Sequence, residues 1–251
     1  LAAPTDAAHD RPGMIAGRDG RPQVDPGVPT ADWHPRLVRW GDRVLLQLVY
    51  TFWFTERPKR WVLDPYGGAV DGIVWRVTLA EDGRPLLWDS VHPCGCFHTL
   101  FLPEGRELVV RRTEPPRAER PLIFRGPSPA TRVRLAYGSG THLVRHLTPA
   151  SEASSEAPVR TYALRAEQRL HEAPGRAPFD RHGLLVGTGR LERFFLWPSG
   201  IRSPGAMRAR GRRATAFVGR RHFDAPELLD GLLRVRVAGE EPTLTPPAAA
   251  P

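Results

Sequence analysis

Trp75-Arg76-Val77-Thr78-Leu79-Ala80-Glu81-Asp82-Gly83-Arg84-Pro85-Leu86-Leu87-Trp88-Asp89-Ser90 reads as a β-hairpin, and that reading decides the fold class. Asp-Gly between two alternating apolar runs is a strong two-residue turn signal, because Gly tolerates the positive φ the turn needs. Centring the turn on Asp82-Gly83 pairs Glu81 with Arg84, Leu79 with Leu86, Val77 with Trp88 and Trp75 with Ser90. On the other face Arg76 falls opposite Asp89, a favourable cross-strand pair. One register therefore satisfies an apolar face and two charge pairs.

The same period extends outward from the hairpin. Leu46, Leu48, Tyr50, Phe52 and Phe54 alternate within Val44 to Phe54, the most apolar stretch of the chain, which reads as a core strand. It is about half the length of a membrane-spanning helix. A second hairpin centred on Ser139-Gly140 would pair Tyr137 with His142, Leu135 with Val144 and Val133 with His146. Leu108 to Arg111, Leu184 to Val186 and Leu191 to Trp197 are further strand-like runs, while Tyr162 to Leu170 fits strand or helix. Asp224-Ala225-Pro226-Glu227 carries helix-start signals, with Asp224 as N-cap, ahead of an apolar stripe of Leu228, Leu229, Leu232 and Leu233. The expected fold is mainly β, an antiparallel sandwich or partly open barrel with a short C-terminal helix.

Residues 1–31 and 239–251 hold few large apolar side chains, so a disordered N-terminal arm and a disordered tail are expected around one β-rich domain at 32–238. The Ser/Glu/Ala-rich stretch 148–158 reads as a flexible surface loop within that domain. The chain starts at Leu1 rather than Met, which suits a processed chain or a fragment. Its expected setting is soluble, in the cytoplasm or exported after cleavage.

The 251 residues carry a formal net charge of +9. Of 36 basic residues only Lys59 is lysine, a bias that spreads arginine over the whole surface and makes a nucleic-acid footprint the less favoured reading. Phosphate-cradling loops, the dinucleotide fingerprint and Gly-x-Ser-x-Gly are all absent from the sequence.

Chemistry concentrates in His92-Pro93-Cys94-Gly95-Cys96-Phe97-His98, where four metal-ligating side chains occupy alternate positions. In an extended strand, same-face neighbours stand roughly 6.5–7 Å apart, whereas two ligands of one tetrahedral zinc stand about 4 Å apart. A bend at Gly95 is therefore required before Cys94 and Cys96 could share zinc or cuprous copper. The same bend would allow a short Cys94–Cys96 disulfide, or a thiolate nucleophile beside His92 or His98. His142 and His146 are candidates to complete a metal site; they lie roughly 13 Å apart in a strand but share one face of a helix. His222 with Asp224 is a possible acid–base pair. Arg208, Arg210, Arg212 and Arg213 lie in a stretch from Arg193 to Phe223 that lacks acidic residues, and form a candidate anion site.

The leading expectation is a metal-binding β-rich protein, with zinc or copper, whose catalytic form would act on an anionic small molecule. The alternative is a non-enzymatic binding module for a protein or an anionic partner, with structural cysteines and a basic surface loop. Two buried cysteines in a core need no further role.

Overall fold

The computed structural model describes residues 7–18, 20–105, 108–110, 121–150, 160–170, 178–213 and 223–235. Thirteen strands appear among them: β1 (Met14–Arg18), β2 (Arg21–Asp25), β3 (Thr30–Trp40), β4 (Arg43–Arg57), β5 (Gly68–Leu79), β6 (Pro85–Val91), β7 (Thr99–Pro103), β8 (Leu108–Val110), β9 (Leu122–Gly126), β10 (Val133–Tyr137), β11 (Val144–Pro149), β12 (Ala163–Ala166) and β13 (Leu233–Val235). One short helix, α1 (Leu228–Leu232), precedes the last.

Seven strands build the main sheet in the order β12-β3-β4-β5-β6-β7-β9. Its five central strands are antiparallel, and both edge pairs, β12 with β3 and β7 with β9, are parallel. The fold is thus mainly β as expected, but the sheet is mixed and open. Three two-stranded sheets accompany it: β1–β2, β10–β11 and β8–β13.

Both faces of the sheet are covered. On the first face, Leu228, Leu229 and Leu232 of α1 pack with Phe223 against Val38, Leu45, Val49 and Val74. On the second, Leu135, Tyr137, Val144 and Leu147 of the β10–β11 hairpin pack against Phe54, Ile73, Trp75, Trp88 and Phe101. Full burial of each such side chain stabilises the fold by about 1.5–3 kcal/mol. Central strands buried on both faces must be apolar almost throughout. That explains why β4 supplies Leu45, Val49 and Trp53 to the core as well as Phe54.

The first hairpin has the expected register at Trp75–Ser90, Arg76–Asp89 and Val77–Trp88. A bulge between Thr78 and Leu79 then pairs Leu79 with Pro85 rather than Leu86. The turn is wider than two residues: Ala80 N–H donates to Arg84 O, and the Asp82 carboxylate accepts from Arg84 N–H. Arg76 and Asp89, expected on an outer face, are instead fully buried, because the first face is covered by the segment around Phe223.

The second hairpin also forms, but its loop runs from 138 to 143 and its register is Leu135–Leu147 and Ala136–His146. A shift of that parity turns side chains to the opposite face. Leu147 therefore points into the core, and His146 is exposed.

Several other expectations need correction. Residues 7–18 and 20–31, expected within a mobile arm, include a 3-10 turn (Ala8–Asp10), the paired strands β1 and β2 and the start of β3. Asp10 is what ties them down, accepting from Ser139 Oγ and Gly140 N–H while its carbonyl accepts from Tyr137 Oη. Leu191–Phe194 is a 3-10 turn, not a strand. Asp224 does not cap α1, whose N-cap is Glu227 without a side-chain hydrogen bond. Tyr162 to Leu170 contains both elements considered, β12 and then a 3-10 turn at Glu167–Leu170. Most of the expected flexible loop and the whole expected tail lie outside the described residues.

Arg76 offers a direct test of this architecture. Removing one partner of a buried ion pair leaves the other charge uncompensated, at about 3–5 kcal/mol. Asp89→Asn is expected to lower unfolding stability by that amount in urea denaturation. Replacing both residues together, Arg76→Met with Asp89→Leu, is expected to cost less than Asp89→Asn alone.

Candidate functional site

The Cys/His segment is a tight turn between β6 and β7. Gly95 N–H donates to His92 O at 2.8 Å and His92 N–H to Cys96 O at 3.0 Å, with Gly95 at φ 94°. The expected bend at Gly95 is therefore present. Its effect on the histidines is to divide them between the two faces of the sheet.

His92 follows β6 on the second face, and its Nδ1 stands 3.2 Å from Asp71 Oδ1. The other Asp71 oxygen is 2.8 Å from Nδ1 of His142, whose Nε2 is 2.9 Å from His9 O. Both ring nitrogens of His142 thus face oxygen atoms. The His142 ring also stacks on Phe54 at 3.9 Å. Burial alone would raise the Asp71 pKa; the two imidazoles outweigh it and hold the carboxyl well below the usual range.

His98 immediately precedes β7 on the first face, with Nε2 2.8 Å from Asp89 Oδ2. Asp89 also accepts from Arg76 Nε at 3.0 Å and from Arg76 Nη2. Arg76 Nη1 donates to Phe223 O at 2.7 Å, and its guanidinium lies 3.5 Å from the centre of the Phe223 ring. Here too burial would raise the Asp89 pKa, and Arg76 and His98 bring it below the usual range.

The thiols take a third environment. Cys94 is buried with Ile15, Trp53, Val70, Leu170, Leu185 and Met207, and Cys96 packs against the same cluster. Both are thiols rather than a disulfide. His92 and His98 consequently do not converge on the cysteines, and His142 and His146 stand apart, one buried and one exposed. Among the described residues no group of three or more His, Cys, Asp or Glu side chains is placed to hold a metal ion.

The arginine segment is largely used inside the protein. Arg208 is buried and donates to the carbonyls of Arg202 and Ser203. Arg213 is buried, with Nη1 3.1 Å from Asp224 Oδ1 and Nη2 3.7 Å from Glu167 Oε1. Arg210 lies 3.6 Å from Glu167 and is half-exposed, and Arg212 is exposed. Asp224 also accepts from Gly211 N–H and faces Arg36 at 3.8 Å. His222, its expected companion, lies outside the described residues. Within the expected anion site, Arg208 is thus taken up by backbone carbonyls and Arg210 and Arg213 face the chain's own carboxylates, which leaves Arg212 exposed. His34 joins this network unforeseen, its Nδ1 2.6 Å from Glu167 Oε2.

Among the described residues, one surface open to solvent is a pair of turns that strand reasoning overlooked. In the turn after β4, the Asp64 carboxylate accepts from Arg60 N–H at 3.0 Å and Tyr66 N–H at 2.9 Å. These bonds outweigh the effect of burial and lower the Asp64 pKa. The turn they close presents Trp61, Val62 and Leu63, the last two 87% and 73% exposed. Glu192 N–H donates to Pro65 O at 3.2 Å, which sets the Leu191–Phe194 turn beside it. From there Phe194, Phe195, Leu196 and Trp197 all reach solvent, with Phe195 at 72% and Trp197 at 73%.

Basic side chains border these tips. The Arg57 guanidinium lies 5.5 Å from the Tyr66 and Phe97 ring centres, and Arg193 lies 4.7 Å from that of Phe194. Lys59, Arg60 and Arg202 are exposed. An open recess of about 700 Å³ lined by Thr55, Glu56, Arg57, Lys59, Gly68 and Ala69 adjoins them. The signal was in the sequence: four consecutive large apolar residues cannot alternate in and out of a half-buried strand.

No protein-family model, curated protein or solved structure matches the chain.

Three measurements check this assignment of roles. With the histidines committed to separate aspartates, chelation by EDTA is expected to leave the thermal midpoint unchanged, and Cys94→Ser to cost about 1–2 kcal/mol. Acid titration tests the Glu167 network. Burial would raise the Glu167 pKa, but His34 and Arg213 bring it down from 4.5 to about 2. Its contribution, about 3 kcal/mol, is then complete above pH 4.5 and is lost as pH falls through 2. Asp32 works in the opposite sense, since burial outweighs Arg165 and raises its pKa. Urea midpoints measured from pH 6 downward are expected to fall, with a shallower slope in Glu167→Gln.

Proposed function

We propose that this protein is a non-enzymatic binding module that docks an anionic partner on the surface formed by residues 57–66 and 191–202. One observation carries the reading: large apolar side chains are exposed side by side on two rigid turns, with basic groups around them. Soluble proteins rarely expose contiguous apolar patches without an interaction to cover them. Cysteines that pack in an apolar cluster fit the same reading as structural elements. A zinc or copper site on the His92–His98 turn would require that turn to open, because its histidines are held on opposite faces by Asp71 and Asp89.

The probe suited to this surface is an apolar anion, 8-anilinonaphthalene-1-sulfonate. The native protein is expected to enhance its fluorescence, and a Phe195→Ser, Trp197→Ser variant to lose most of that signal at an unchanged melting temperature. Dye binding that is absent, or indifferent to these substitutions, would overturn the proposal.

A further inference from the structure

Resting on the binding-module reading, we propose that the anionic partner is a lipid membrane surface, which the protein engages peripherally. Trp61, Leu63, Phe195 and Trp197 enter the headgroup layer, while Lys59 and Arg60 contact lipid phosphates.

Three observations favour lipid over a folded protein. The first is the form of the apolar surface. Val62, Leu63, Phe195 and Trp197 are each more than two-thirds exposed, so they stand clear of their surroundings on two neighbouring tips. A protein partner would need hollows cut to fit each tip, whereas a fluid interface accepts them without a preformed shape. The second is residue type. Tryptophan and phenylalanine beside arginine and lysine are the combination that settles at the boundary between headgroups and acyl chains.

The third is charge. Lys59, Arg60, Arg193 and Arg202 are exposed around the tips, with Arg193 near the Phe194 ring, and Arg57 lies partly exposed against Tyr66. Of the nearby acidic groups, Asp64 is buried in hydrogen bonds to its own turn, Glu192 of the second turn is only partly exposed, and Glu56 is exposed. The chain as a whole carries +9. No described helix is long and apolar enough to cross a membrane, so the attachment in question is one of surface turns.

Rigidity makes the arrangement effective. Asp64 closes one turn, and the Glu192–Pro65 hydrogen bond joins it to the other. Beneath them Arg190 donates to Ala69 O at 2.9 Å and Val70 O at 2.6 Å, anchoring the second turn to β5. The apolar tips are thus held out before contact, and little ordering remains to be done on binding.

Flotation of the full chain with extruded vesicles tests the proposal, comparing phosphatidylcholine alone with phosphatidylcholine plus phosphatidylserine. Binding to the anionic vesicles is expected, with a blue shift of tryptophan emission and release at high salt. Lys59→Gln with Arg60→Gln is expected to weaken binding about 25-fold, at about fivefold per charge. Trp61→Ser with Trp197→Ser should weaken it about tenfold or more and remove most of the blue shift. All four positions are exposed, so an unchanged melting temperature confirms that these variants fold. No binding to anionic vesicles, or binding that neither pair of substitutions affects, overturns the lipid assignment. If the sulfonate dye still binds in a Trp197-dependent way, the binding-module reading survives that failure; if the dye fails too, both fall. Concentration-dependent dimerisation abolished by Trp61→Ser with Trp197→Ser would identify a second copy as the occupant and overturn the lipid.

Discussion

The buried pairing of Arg76 with Asp89 is the interaction on which the rest of the structure depends. Two charges at the centre of a sheet are costly to desolvate, and the cost is offset only when each hydrogen-bonding position finds a partner. Here the guanidinium binds the carboxylate of the neighbouring strand, the carbonyl of Phe223 and the face of the Phe223 ring. The carboxylate receives His98 as well. Completing this set draws together β5, β6, the residue just before β7 and the chain leading into α1. The apolar contacts of α1 with Val38 and Leu45 then close the first face around it.

The same solution recurs on the other side. Asp71 joins His92 to His142, and so binds the β6–β7 turn to the loop of the β10–β11 hairpin. His142 in turn reaches the backbone of His9, linking the N-terminal segment to that hairpin. Beside β3, Glu167 lies against His34 and approaches Arg213, while Asp224 holds Arg213 and faces Arg36. Buried acids therefore act as junctions between segments distant in sequence. The histidines and arginines that look chemically available along the chain are mostly the counterparts of these acids. Among the described residues the interior leaves the apolar turns at 60–66 and 191–197 exposed, as it does Leu37, Val44 and Leu46 on β3 and β4, and the turns are where basic groups accompany the apolar ones.

The sequence by itself determined the β class, the first hairpin and its central register, because a period of two and an Asp-Gly turn are local properties. It also located the bend at Gly95, whose φ of 94° favours a residue free of a Cβ. The apolar stripe of Leu228 to Leu233 was legible for the same reason, although Asp224 capped an arginine instead of the helix.

Tertiary structure alone decided which side chains were inside. Alternation shows that Arg76 and Asp89 share a face; it does not show that the segment near Phe223 will cover that face. Nor does spacing reveal that Asp71 will take both His92 and His142, residues 21 and 71 positions away, and so disperse a cluster that seven adjacent residues suggested. The width of the second hairpin loop was equally hidden, because it depends on Asp10 reaching Ser139 and Gly140 from the far end of the chain. Local pattern sets the direction of each side chain, and long-range contact sets what that side chain meets.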